Sequence, residues 1–236
     1  MKKTLFSVLL AVTAFAAHAE TFPMTNLPQG WKGSIEVAGC AEGKCSGEGR
    51  VKLKINGRTY ALPADFYEFD APKAQGAALL ENPVTVDDFN FDGREDIAVP
   101  VGHQGPYGSE ASDIYVQTAG GRLVKSDELS DLTHSYMGTP ETDRKRKLLI
   151  VSGKSGAAIH YTEHYRVVTG KGLQQVYQRT DTHYGCNKNT GIKVEEKAML
   201  PNGKWRTRNR CLTEAQFEKL TQQDQAEMER RSKYRP

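Results

Sequence analysis

The sequence predicts a mainly β protein, an antiparallel β-sandwich or propeller-like set of sheets, with one C-terminal α-helix. Three observations carry this. Apolar residues alternate with polar ones over short runs, as on half-buried strands. Those runs are joined by Gly- and Asn-containing turns. Only the last segment carries a helix start signal ahead of a polar, helix-forming stretch. With 236 residues, 26% of them charged and 38% hydrophobic, the chain is neither disordered nor collagen-like nor a polytopic membrane protein.

The first nineteen residues read as a secretory signal peptide. Lys2 and Lys3 form a basic start, Leu5 to Ala17 is an apolar run short for a bilayer, and Ala17-His18-Ala19 is a small-x-small cleavage signal. The expected mature chain is a single β domain over 20–212, followed by a helix and tail over 213–236, located in the periplasm without stable membrane insertion. The residue directly after the cleavage point is Glu20 and not Cys, so a lipid anchor is not expected. From Glu20 to Pro140 there are 10 Lys/Arg against 18 Asp/Glu, and from Glu141 onward 20 against 11. The basic half alternates its charges with acids and strand residues, which suits a solvated face; no nucleic-acid partner is expected.

In an exported protein the four cysteines should be paired. Three connectivities are possible. Cys40–Cys45 and Cys186–Cys211 are favoured because each closes a local loop, for about 2–3.5 kcal/mol apiece on the loop-entropy model. Zinc competes poorly, since no CxxC or His-bracketed spacing is present.

Along the chain, Val51, Leu53 and Ile55 alternate with cations, and Asn56-Gly57 turns the chain into Arg58 to Leu62. A short helical turn is expected near Pro63 to Phe69 and another near Ser126 to Leu132. Further hairpins are expected from Asp113 to Lys125, from Ala158 to Arg179 and from Gly191 to Arg210, with a compact strand over Leu148 to Val151. Thr213-Glu214-Ala215-Gln216 has capping-box spacing, and Glu227/Arg231 and Glu229/Lys233 are i,i+4 pairs. The thin apolar stripe of Phe217, Leu220 and Met228 should dock the helix at its start and leave its end to fray.

The segment from Asp88 to Asp96 (DFNFDGRED) carries the most chemistry. Oxygen-bearing side chains recur at loop positions 1, 3, 5 and 9, with Gly93 at 6. A hard Ca²⁺ takes six to eight oxygens, which a short loop supplies only by curling round the ion. Asp88, Asn90, Asp92 and Asp96 would give side-chain oxygens and Arg94 its backbone carbonyl. Position 12 is Val99 where an EF-hand has Glu, and strand-like residues flank the loop, so a structural calcium between two strands is the expectation. The competing reading is an Asp/Asn-rich turn with no ion.

From this loop onward the sequence resembles periplasmic immunity proteins that protect bacteria against peptidoglycan hydrolases delivered by antibacterial type IV secretion systems, proteins akin to periplasmic lysozyme inhibitors. The resemblance runs from Val84 to about Arg179. It rests on the DxNxDGxxD loop (integrin-like, FG-GAP/VCBS-type), Gly102 and Gly105, the strand around Tyr115, Glu128 to Leu132, and Ser152-Gly153-Lys154-Ser155-Gly156 leading to Tyr161 and Tyr165. It implies a calcium-bound β fold that inhibits a lysozyme-like enzyme by an inserted loop.

Two loops suit such recognition. Ser155-Gly156-Ala157, ending near His160 and Tyr161, is small enough for a saccharide cleft and offers hydroxyls to carboxylates. The loop from His103 to Gly108 carries an aromatic, Tyr107, at its tip. The first also reads, and more readily, as an ordinary Gly/Ser hairpin, and the second as a long connection. His160 and His164 should share one strand face, with no third metal ligand in view, and Tyr161 and Tyr165 the other. No catalytic constellation is present: Asp87 and Asp88 are adjacent and diverge on a strand, Ser155 lacks a nucleophile elbow, and Gly102 to Gly108 lacks the Lys of a phosphate loop. The alternative to an inhibitor is a calcium-stabilised module binding carbohydrate or an envelope protein.

Overall fold

The computed structural model describes residues 19–74, 76–188 and 190–232, with side chains as far as 226. The expected leader, the Glu227/Arg231 and Glu229/Lys233 pairs and Met228 fall outside what is described. The described residues form three antiparallel sheets, each a meander in sequence order. The first comprises β1 (Glu20–Pro23), β2 (Trp31–Ala41), β3 (Lys44–Ile55) and β4 (Arg58–Asp70). Val51, Leu53 and Ile55 all face inward at no more than 1% exposure, as their alternation dictates. Asn56 (φ 49°) and Gly57 (φ 81°) take the left-handed backbone that a tight hairpin needs.

The stretch Pro63 to Phe69 is strand, not the expected helical turn. Leu62, Ala64 and Phe66 are buried alternately, and β4 is a sheet edge, where a residue without N–H is tolerated. Nearby, Gly49 of β3 has no room for a side chain: a Cβ there would lie 2.1 Å from the Glu36 carbonyl oxygen and 2.7 Å from the Phe66 ring. Gly49→Ala is therefore expected to cost more than about 2 kcal/mol in urea unfolding, because backbone and a buried ring must both shift.

The second sheet holds β5 (Thr85–Asp87), β6 (Asp96–Pro100), β7 (Ser112–Gln117) and β8 (Leu123–Lys125). Both its faces are covered. Ile97 and Val99 of β6 pack with Ile35, Val51 and Leu53 of the first sheet. Ala98 and Ile114 turn the other way, onto Phe89, Leu129, Leu132, Leu149 and Val151. Each fully buried aliphatic side chain contributes about 1.5–3 kcal/mol. The turn expected near Ser126 is a complete helix, α1 (Asp127–Ser135), whose first turn is capped by the Ser126 side chain accepting from Leu129 N. Leu129 and Leu132 give it one apolar face.

The third sheet runs β9 (Glu141–Asp143), β10 (Leu148–Ser155), β11 (Ile159–Val168), β12 (Gly172–Cys186), β13 (Gly191–Met199) and β14 (Trp205–Leu212). Both favoured disulfides form: Cys40–Cys45 closes the β2–β3 hairpin, and Cys186–Cys211 ties β12 to β14. Helix α2 (Glu214–Ser232) starts in the capping box, Thr213 and Gln216 each accepting the other's backbone N–H. Phe217 seats its first turns against His183 and Arg179, and Arg179 pairs with Asp181 and with Asp224 of the helix. No described helix is long and apolar enough to cross a membrane.

Candidate functional site

The loop from Asp88 to Asp96 joins β5 to β6, as its flanking strands require. Phe89, fully buried, pins it to the core, and Gly93 (φ 86°) makes its sharpest bend. Its oxygens turn inward onto its own backbone. Asp88 accepts from Asp92 N at 3.0 Å and Gly93 N at 2.9 Å; Asn90 Oδ1 accepts from Asp92 N, and Asp92 Oδ1 from Arg94 N, both at 3.0 Å. Asp96, with no exposure, accepts from Phe89 N, Asn90 N and Gln117 N. Arg94 pairs with Asp92 and donates to the Gln117 carbonyl at 2.8 Å, which fastens the loop to the end of β7.

Burial, reinforced by the charges of Asp88 and Asp92, pushes the Asp96 carboxyl up to about 7 against the pull of Gln117 N and Asn90 N. Burial also raises Asp88. Among the described residues no three His, Cys, Asp or Glu side chains form a ready-made metal cluster. The donor set nevertheless fits a hard cation by its chemistry: every candidate ligand is oxygen, three are carboxylates on one curled loop, and burial holds two of the three above the ordinary carboxylate range.

A clamp not read from the sequence stands behind this loop. Asp87, 1% exposed, accepts from Arg144 Nε at 2.8 Å and from Thr142 Oγ1, while Arg144 also reaches Glu95 at 2.8 and 3.0 Å. Asp87 and Glu95 flank the loop on the second sheet, and Arg144 lies between β9 and β10 of the third. The partners lie 49 and 57 positions apart, so no spacing rule could have found them.

The two candidate recognition loops meet. Tyr107 sits at φ 58° in a short 3₁₀ turn (Pro106–Gly108), 64% exposed, and its hydroxyl accepts from Gly156 N at 2.6 Å. Lys154 Nζ stands 5.1 Å from the Tyr107 ring centroid, a cation–π contact. The Tyr107 loop is braced from within: His103 donates from Nδ1 to the Gly108 carbonyl at 2.9 Å, and Gly105 N donates to the Ser109 carbonyl at 2.9 Å. Tyr67 of β4 supports it from below, its ring 5.1 Å from His103 and its hydroxyl donating to the Ala111 carbonyl at 2.6 Å. Burial pushes the Tyr67 phenol up.

Tyr161 lies over Gly153, where a Cβ would come within 2.4 Å of its ring, and packs edge-on against Tyr136 at 6.0 Å. Beside it Glu163, 8% exposed, accepts from Tyr136 and Tyr165 hydroxyls at 2.7 Å each and from Gln178 Nε2 at 3.2 Å. The face that Tyr161 and Tyr165 share thus carries a buried polar network. His160 alternates to the other face, where its ring lies 5.7 Å from His183, away from the Tyr107–Gly156 contact. His164 stacks on Tyr177 at 4.6 Å, and burial pushes it down to about 4. The structure thus brings Ser155, Gly156 and Tyr107 together and separates His160 from them.

No family model and no curated protein matches the chain. One solved structure, described as that of a Xanthomonas type IV secretion system related protein, shares its fold with a TM-score of 0.56 over 77% of this chain and 90% of that one, at 20% identity.

Proposed function

We propose that this protein is a periplasmic inhibitor, of the immunity type, that blocks a lysozyme-like peptidoglycan hydrolase by occlusion and without chemistry of its own. The observation that carries the reading is the 2.6 Å hydrogen bond from Gly156 N to the Tyr107 hydroxyl. It joins two loops far apart in sequence into one surface with an exposed aromatic anchor, a cation and small residues. Rigid aromatic anchors flanked by small and polar groups suit insertion into a cleft, because little conformational freedom is lost on binding. The fold neighbour's description as type IV secretion related supports the same setting. Calcium in the Asp88–Asp96 loop would hold the second sheet in shape, with Asp88, Asn90, Asp92, Asp96 and the Arg94 carbonyl as ligands; the ion's role here is structural.

The test is turbidimetric lysis of peptidoglycan by lysozymes, including any encoded beside this gene, with and without the protein. Inhibition is expected, and Tyr107→Ala should weaken it at least about tenfold while the melting temperature stays within a few degrees, since Gly156 N can bond to water. If no lytic enzyme is slowed or bound, the inhibitor reading fails. If the protein binds glycan fragments without slowing any enzyme, the carbohydrate-module alternative replaces it.

A further inference from the structure

The sequence has two Asn-Gly pairs, Asn56-Gly57 and Asn202-Gly203, and the fold treats them differently. In such a pair the Gly nitrogen can attack the Asn side-chain carbonyl carbon, because no Cβ shields it and a small imide ring closes. Asn56 takes the left-handed backbone (φ 49°) in the tight β3–β4 turn, flanked directly by the Ile55–Arg58 pair. Its amide lies against two other loops: a Cβ on Gly121 would sit 3.6 Å from Nδ2, and one on Gly30 3.9 Å from Oδ1. That amide makes no hydrogen bond among the described residues.

Asn202 sits in an open turn between β13 and β14. Residues 201–204 are exposed, and nothing lies within 4 Å of where a Gly203 side chain would begin. Gly203 N donates to the Leu200 carbonyl at 2.9 Å and Leu200 N to the Lys204 carbonyl at 2.8 Å, which closes the turn. The Asn202 side chain folds forward along the chain, so that its Oδ1 accepts from Lys204 N at 3.1 Å. That bond keeps the amide group beside the Gly203 peptide. It also aims an N–H at the oxygen on which negative charge develops when the carbon is attacked.

We propose that Asn202 is a site of spontaneous deamidation, selected over Asn56 by the fold. Gly203 N leaves the Leu200 carbonyl, which costs little in an exposed turn, gives its proton to water and bonds to Asn202 Cγ. The Lys204 N–H steadies the charge on Oδ1 in the intermediate. The Cγ–Nδ2 bond then breaks, and ammonia leaves with a proton from solvent as the succinimide closes. Water adds to either ring carbonyl, giving aspartate or isoaspartate with no change of oxidation state. Aspartate places a carboxylate two residues from Lys204. Isoaspartate lengthens the backbone inside the turn that sets the Met199–Trp205 pairing.

The experiment is incubation of the purified protein at mildly alkaline pH, in buffer and in strong urea, with peptide mapping by mass spectrometry at intervals. In buffer, Asn202 is expected to convert at least about tenfold faster than Asn56, the effect of an aligned oxyanion donor on an unhindered amide. In urea the two rates should agree within about threefold, since only the fold separates the sites. Asn202→Gln should remove the first acidic species on ion exchange, because the longer side chain closes its ring more slowly. No conversion at Asn202 in buffer, conversion at Asn56 that keeps pace with it, or an equal preference for Asn202 in urea overturns the proposal. The readout is the mass gained on passing from amide to acid, so it is independent of hydrolase inhibition.

Discussion

Replacing Arg144 with Met is expected to lower the melting temperature by about 10 °C, corresponding to roughly 3 kcal/mol for a domain of this size. The loss arises at Asp87, almost wholly buried, which would forfeit its contacts to Arg144 Nε at 2.8 Å and Nη2 at 2.7 Å while keeping its charge. Removing one partner of a buried ion pair costs about 3–5 kcal/mol. The lower end applies because the Arg144 side chain is 35% exposed and screened by water. Glu95 loses its partner too, so the loop loosens from the third sheet. Adding Asp87→Asn to the variant should recover part of the stability by removing the stranded charge. A single variant that unfolds within about 0.5 kcal/mol of the native protein would show that the clamp is incidental.

Calcium is expected to raise the melting temperature strongly near neutral pH and hardly at all near pH 4. With its folded value raised to about 7 from the ordinary 3.8, Asp96 is protonated in the folded, ion-free protein over a range where the unfolded chain is already ionised. Its stabilising contribution is therefore complete below pH 3.8 and is lost as pH rises toward 7. The full excursion is on the order of 4 kcal/mol. A bound divalent cation favours the charged carboxylate and offsets that loss, so the calcium effect grows across the same window. Asp96→Asn should flatten the pH dependence and abolish the calcium response, and Asp92→Ala should abolish the response alone. Scanning calorimetry at several pH values, in calcium and in chelator, reads all of this. Identical melting in calcium and chelator at neutral pH would remove the ion from the proposed function and leave an Asx-rich turn.

The local features were legible because they depend on neighbours in sequence. Alternation at Val51, Leu53 and Ile55, the Asn56-Gly57 turn, the Thr213–Gln216 capping box and the curl of Asp88 to Asp96 follow from backbone geometry over a few residues. Pro63 misled, since proline marks a turn in isolation and an edge strand only when the sheet order is known. Tyr107 and Gly156 were each visible as candidates, but the bond that unites them spans 49 positions.

Sequence alone therefore determined most of the strands and their turns, favoured the disulfide pairing that forms and marked the oxygen-rich loop, because these depend mainly on residues near one another along the chain. The tertiary structure decided which loops share a surface, that Arg144 grips Asp87 and Glu95, that Glu163 is ringed by phenols and amides, and that His160 stands apart. Those relations depend on how three sheets stack, and stacking is set by side-chain volume across layers, which no one-dimensional spacing encodes.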